Sequence, residues 1–246
     1  MAFTVHAVMP GVWHIVDCMG VCMTLLEGEN AAMLVDTGYG IEDVADFMRH
    51  MTDLPLTVFL THNHHDHAMG ARCFPETYML EADMADWRMF TNDEMRRRVL
   101  TQAIGKNLTV DEKTFLAGEI PLPKVMKPGV IDLGGLTAEI IEAPGHTPGS
   151  AVVYVPERKL LLSGDDWNPC TWLFFPQALG LREYRSNMRG IQQLPFLTAE
   201  GQGKDFVLHL VVPEQIDQIL VRVEIHHDAA EIEYDIFIHP LSLLKS

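Results

Sequence analysis

Residues 61–67 read Thr-His-Asn-His-His-Asp-His, so His62, His64, Asp66 and His67 place four metal-ligating groups within six positions. Imidazoles and a carboxylate at this spacing suit zinc, and also iron or manganese. The plain alternative is a solvated histidine-rich turn. Histidines without a ligand have little reason to crowd directly behind an apolar run such as residues 56–60. Two later segments share this form. Residues 138–141 lead into Ala143-Pro144-Gly145-His146-Thr147-Pro148-Gly149-Ser150, and Leu160-Leu161-Leu162-Ser163-Gly164 ends on Asp165. Singly, His146 fits a turn and Asp165 a helix cap equally well. Three apolar strands each ending in a ligand-type residue point to a metal site built at one sheet edge from distant segments.

With these residues in place, the chain resembles the metallo-β-lactamase superfamily. The matching features are H-x-H-x-D-H at His62 to His67, P-G-H-T-P-G-S around His146, S-G-D ending at Asp165, and a strand with a D-T-G turn at Ala32 to Gly38. The resemblance covers about residues 10–200. It implies an α/β fold, a four-layer αββα sandwich with a dinuclear site in a cleft at one edge. By motif position it implies that His62, His64 and His146 bind the first metal, Asp66 and His67 the second, and that Asp165 bridges both. Asp36 is then no ligand but a hydrogen-bond partner that fixes a histidine tautomer. Two zinc ions are expected, with iron or manganese as alternatives. Three neutral imidazoles leave tetrahedral zinc one open position for water, whose pKa falls to about 7. Asp66 can orient the resulting hydroxide as well as ligate.

One segment departs from the family pattern. The family supplies a last histidine for the second metal from a G-H-G-like turn, where this chain reads Ala199-Glu200-Gly201-Gln202-Gly203-Lys204. Gln202 offers an amide, a poor ligand for zinc, so the second site is expected to be weakened or unusual. His209, His226, His227 and His239 replace it only if the chain folds back onto the site.

The elements that must carry these residues follow from periodicity. Residues 3–36 read as an antiparallel meander, and 41–51 as a helix with Ile41, Val44, Ala45 and Met48 on one face. Residues 80–104 read as one or two helices. Their methionines (Met84, Met89 and Met95), with Trp87 and Phe90, are core filler or the floor of a plastic apolar pocket. Residues 105–135 read as loop, broken by Pro121, Pro123 and Pro128. Strands are expected at 136–142, 150–155 and 159–163, and a helix at 183–194. Between them Trp167, Trp172, Phe174 and Phe175 are the first candidates for a substrate-facing wall, with half of them serving the core. Without repeats or a linker, residues 1–246 read as one domain. Its tail at about 205–246 is atypical: a hairpin of 220–225 and 231–238 stands where the family more often ends in a helix. That added edge is a candidate homodimer contact.

Eighteen basic against 34 acidic residues give a net charge of −16, which argues against nucleic acid and anionic membranes as partners and leaves a small-molecule substrate. Arg96-Arg97-Arg98, the only dense basic run, is expected on a solvated helix face. Neither a signal-peptide pattern nor an apolar run of about 18 residues is present, so a cytoplasmic location is expected. Cys18 and Cys22 read as reduced core residues, and Cys170 as a buried bystander or a lining of the cleft.

Asp165 at the bridging position resembles the thioesterase, lactonase and phosphodiesterase branches more than the true β-lactamases. Glyoxalase II shares the motif, but its glutathione-binding C-terminal region is not evident. The expectation is a metal-dependent hydrolase that uses a metal-bound hydroxide on a small ester, thioester or lactone. Two alternatives stay open: a mononuclear iron oxidoreductase resembling the persulfide dioxygenases, and a degenerate metal-binding member without turnover, motivated by Gln202. A flavodiiron-type oxidoreductase fits less well, since that branch carries Glu at the second ligand position and a flavodoxin domain.

Overall fold

The computed structural model describes residues 3–167, 171 and 173–196, and the backbone of strands at 198–201, 207–210, 219–227 and 230–238. The N-terminal alternation resolves into β1 (Thr4–Met9), β2 (Val12–Val16), β3 (Cys22–Glu27) and β4 (Ala32–Val35), paired antiparallel in chain order. Helix α1 (Val44–Met51) then carries the chain to β5 (Leu56–Phe59), which lies parallel to β4. Its start is fixed by Asp43, whose carboxylate accepts the Asp46 N–H at 2.9 Å, the usual way an orphan donor of the first turn is satisfied. Short strands β6 (Tyr78–Met79) and β7 (Lys124–Val125) complete a seven-stranded sheet.

The second sheet runs in order from β8 (Gly129–Asp132) through β9 (Thr137–Glu142), β10 (Ala151–Val155) and β11 (Leu160–Gly164). It continues with β12 (Thr198–Gly201), β13 (Val207–Leu210), β14 (Ile219–His227) and β15 (Ala230–Ile238). Only β11 and β12 pair parallel; β14 and β15 form the C-terminal hairpin, in register from Ile219↔Ile238 to His227↔Ala230.

Strands β3, β4, β10 and β11 are buried on both faces, which is why they read as nearly unbroken apolar runs. Leu26, Met33, Val35 and Phe59 of the first sheet meet Ile140, Val153, Leu160 and Leu162 of the second in a shared core. The alternate residues point outward. Met23, Leu25 and Leu34 pack under Val44 and Met48 of α1, and Val152, Tyr154 and Leu161 under Met188 and Ile191 of α6 (Leu181–Ile191). Each fully buried side chain of this size stabilises the fold by about 1.5–3 kcal/mol. The result is an αββα sandwich. Among the described residues no helix is long and apolar enough to cross a membrane.

A third cluster supports the motif loop from below. Trp87 of α3 (Trp87–Thr91) and Val99, Leu100 and Ala103 of α4 (Asp93–Gly105) pack on Leu60, Met69, Ala71 and Met79. Two expectations need correction here. Residues 105–135 are not all loop: a helical turn α5 (Glu112–Phe115) precedes Pro121, β7 lies between Pro123 and Pro128, and β8 follows Pro128, so the prolines occupy only the connections. Arg96 does not lie on a solvated face. It is fully buried, donating to Asp93 and to the Phe115 and Gly118 carbonyls at and just past the end of that helical turn, where orphan carbonyls need donors. Arg97 and Arg98 beside it are exposed.

Gly70 sets the tightest contact of this region: a Cβ there would lie 2.1 Å from the Thr37 carbonyl oxygen. Gly70→Ala is therefore expected to cost about 1–3 kcal/mol, read as a lower urea midpoint at unchanged slope.

Candidate metal centre

The site forms where β4, β5 and β11 end on one side of the sandwich. Past β5 the chain runs through residues 60–64 into a single helical turn, α2 (His65–Ala68). Thr61 accepts the Ala151 N–H on its carbonyl at 2.9 Å, which ties the edge of the first sheet to β10 of the second. Past β4, Asp36 adopts φ +64°, a backbone region that L residues rarely occupy and that directs its carboxylate back toward β5.

That carboxylate organises two histidines. Asp36 Oδ1 accepts the Thr61 N–H at 2.7 Å, and Thr61 Oγ1 lies 3.0 and 2.9 Å from the two carboxylate oxygens. The hydroxyl has one proton, given to Asp36, so it accepts from His62 Nδ1–H at 3.1 Å. His67 Nδ1–H donates directly to Asp36 Oδ2 at 2.7 Å. In both rings Nδ1 is thereby committed as a donor and Nε2 is directed inward, where neither Nε2 has a hydrogen-bond partner although both rings are fully buried. Gly164 belongs to the same arrangement: at φ +52°, a Cβ on it would come 2.9 Å from Thr61 Oγ1.

The remaining donors converge on these nitrogens. His62, His64, His146 and Asp165 form one group, and Asp66, His67 and Asp165 another; within each group the ligand atoms all lie within 4.8 Å of one another. His146 Nε2 is 2.8 Å from His64 Nδ1 and 3.3 Å from Asp165 Oδ2. Two ring nitrogens that close repel unless a proton or a cation lies between them. Orphaned buried nitrogens, imidazole and carboxylate chemistry and this convergence fit a divalent metal such as zinc. Trp167 is not part of the convergence; its ring packs 5.0 Å from Phe196 against the α6 layer. Gln202, Cys170, Trp172 and His239 lie outside the described residues, as do the side chains of His209, His226 and His227.

The electrostatics divide the histidines. Burial, reinforced by His67 and His64, holds His62 well below the ordinary imidazole range. Burial and the neighbouring His146 take His64 down to about 2. His67 goes the other way: burial opposes its charge, but the Asp36 and Asp165 carboxylates outweigh it. Asp165 is correspondingly held well below the carboxylate range, with His67 overcoming the effect of burial.

Sequence reasoning missed three supports. Asp83, 1% exposed, accepts the Asn63 N–H at 3.1 Å, Thr147 Oγ1–H at 2.7 Å and the Gly149 N–H at 2.5 Å, joining the motif loop to the His146 turn. Asp166, pushed up to about 7 by burial, accepts the His146 N–H at 3.0 Å. Gln177 places its amide 3.1 Å from His64 Nε2, and rotating the amide turns its oxygen to that nitrogen as acceptor. Asp166, directly after the S-G-D segment, had a local signal in the double carboxylate; Asp83 and Gln177 had none.

Comparisons with known proteins agree with this geometry. The family model described as "Metallo-beta-lactamase superfamily" matches residues 16–165. A curated protein of Gallus gallus named acyl-coenzyme A thioesterase MBLAC2 is 26% identical over 168 residues, 61% of this chain and 59% of that one. The chain thus spans about three fifths of that relative. A metallo-beta-lactamase from Pontibacter korlensis superposes with a TM-score of 0.58 at 17% identity, over 81% of this chain and 90% of that one. The mono-zinc form of FIM-1 from Pseudomonas aeruginosa gives 0.57 at 16% identity, over 82% and 88%.

Two measurements probe the centre. Gln177→Ala is expected to weaken zinc binding by about 10–100-fold, read by competition with a chromophoric chelator; unchanged affinity would separate Gln177 from the orientation of His64. At pH 7 His62 and His64 carry no charge to lose, whereas His67 must give up its extra proton to ligate. Zinc titration in dilute buffer should therefore release about one proton fewer per chain in His67→Gln than in the parent, and binding at His67 should tighten as pH rises toward its raised pKa. Equal proton counts in the two proteins would contradict the assignment.

Proposed function

The chain belongs to the metallo-beta-lactamase superfamily, and on that premise we propose that it is a metal-dependent hydrolase of a small ester, thioester or lactone. The observation that carries the proposal is the convergence of His62, His64, His146 and Asp165 on one point beside a second group that shares Asp165. In this reading His62, His64 and His146 would hold the first ion and Asp66 and His67 the second, with Asp165 common to both groups. Zinc suits three imidazoles and a carboxylate best. When bound, the metal supplies Lewis-acid polarisation of the carbonyl and an acidified water.

The chain's own residues do the rest. Asp36 and Thr61 hold the rings of His67 and His62 through Nδ1, so each ring keeps Nε2 turned toward the cluster. Asp66, with 27% of its side chain exposed, faces the open side of the cluster and is placed to accept a proton from the attacking water. Asp83 and Asp166 keep the His146 turn registered against the motif loop. The thioesterase name of the Gallus gallus relative supports a thioester among the substrates, within the three fifths of that protein that the chain matches.

A one-metal reading has a specific motive as well. The group around His67 offers only Asp66, His67 and Asp165 among the described residues, and Gln202 stands where the family places a histidine. Elemental analysis of protein purified without added metal distinguishes the cases. Two zinc ions per chain are expected; a single iron, with oxygen uptake in place of hydrolysis, would sink the hydrolase reading. His62→Ala and His146→Ala should lose tightly bound metal and hydrolysis together, with rates down by at least about 100-fold. Gln202→His is expected to raise affinity for the second ion.

A further inference from the structure

Phe175 and Gln177 lie against the histidine cluster, and the aromatic surface continues at Phe174. The Phe175 ring lies 5.0 Å from that of His64 and 6.0 Å from that of His146, while Phe90 of α3 closes on His64 from the other element at 4.4 Å. Phe174 continues the surface outward, its ring 4.9 Å from that of Phe175, and 71% of the residue is exposed. In a chain of net charge −16, residues 171–181 contain no charged side chain. The polar groups described there are engaged: Thr171 Oγ1 donates to the Asp166 carbonyl at 3.4 Å, and the Gln177 amide lies 3.1 Å from His64 Nε2. An uncharged, ring-lined strip that starts at the metal-ligating residues and runs out into solvent is the form of a binding surface for an apolar ligand group.

Resting on the hydrolase reading, we propose that Phe175 and Phe174 receive the acyl chain of the substrate, with its carbonyl at the cluster. The preferred substrates are then esters, thioesters or lactones of unbranched apolar acids, of butanoyl to octanoyl size. An acetyl group reaches no farther than the Phe175 ring beside His64, whereas longer chains extend onto the exposed Phe174 ring next to it. Acids with a charged side chain find no partner of opposite sign along residues 171–181. Phe174 and Phe175 are specificity residues and take no part in bond breaking.

The product acids test this without turnover. Calorimetric titration of the zinc-loaded protein with acetate, butanoate, hexanoate and octanoate is expected to give an affinity that rises about three- to fourfold per methylene from butanoate onward. Phe175→Ala should flatten that rise. Phe174→Ser, at an exposed position where folding is not at stake, should flatten its octanoate end while leaving acetate binding unchanged. Affinity independent of chain length in the parent, or the same rise in both variants, overturns the proposal. Assays of the matching p-nitrophenyl esters keep the two readings apart. A steep rise in affinity without any hydrolysis supports the wall and overturns the hydrolase; hydrolysis with a flat binding series does the reverse.

Discussion

The carboxylate of Asp36 is the constraint on which the site depends. It is fixed by the backbone of Thr61, and it fixes in turn the tautomers of His62, through the Thr61 hydroxyl, and of His67 directly. A neutral imidazole offers one lone pair, and which nitrogen carries it decides whether the ring is a ligand or a bystander. One buried anion therefore settles that choice for two rings. Its cost is local: a non-glycine residue at φ +64° and a carboxylate out of water, compensated by three donors. The parallel pairing of β4 and β5 makes the arrangement possible, because parallel strands end side by side at the same edge.

Much of this was legible in the sequence, for a definable reason. His62, His64, Asp66 and His67 are neighbours along the chain, and the strands before them are buried on both faces, so composition alone marks both. His146 and Asp165 were legible by analogy of form, each following an apolar strand. Arg96, Asp83 and Gln177 were not. Arg96 sits at an ordinary charged position of a helix, and what buries it is a set of carbonyls 19–22 residues away. Gln177 meets His64 across 113 residues, and no local period carries that information. The prolines of 105–135 were read as breaking structure, whereas they bound elements too short for a periodic signal to develop.

The opposite behaviour of His67 and of His62 with His64 has one origin. All are buried, and burial alone favours the neutral ring. Only His67 has a carboxylate on each side, Asp36 at 2.7 Å and Asp165 at 3.5 Å. The two groups thus differ in charge: one presents neutral rings, the other an ion pair.

Both ligand groups contain Asp165, which follows the last central strand of the second sheet, while the first donors stand directly after β5. During synthesis the motif loop leaves the ribosome long before Asp165 does, and neither group is complete until the second sheet has formed against the first. The nascent chain therefore displays His62, His64, Asp66 and His67 as an open, flexible chelating run. The full set of donors therefore comes together only with the docking of the two sheets.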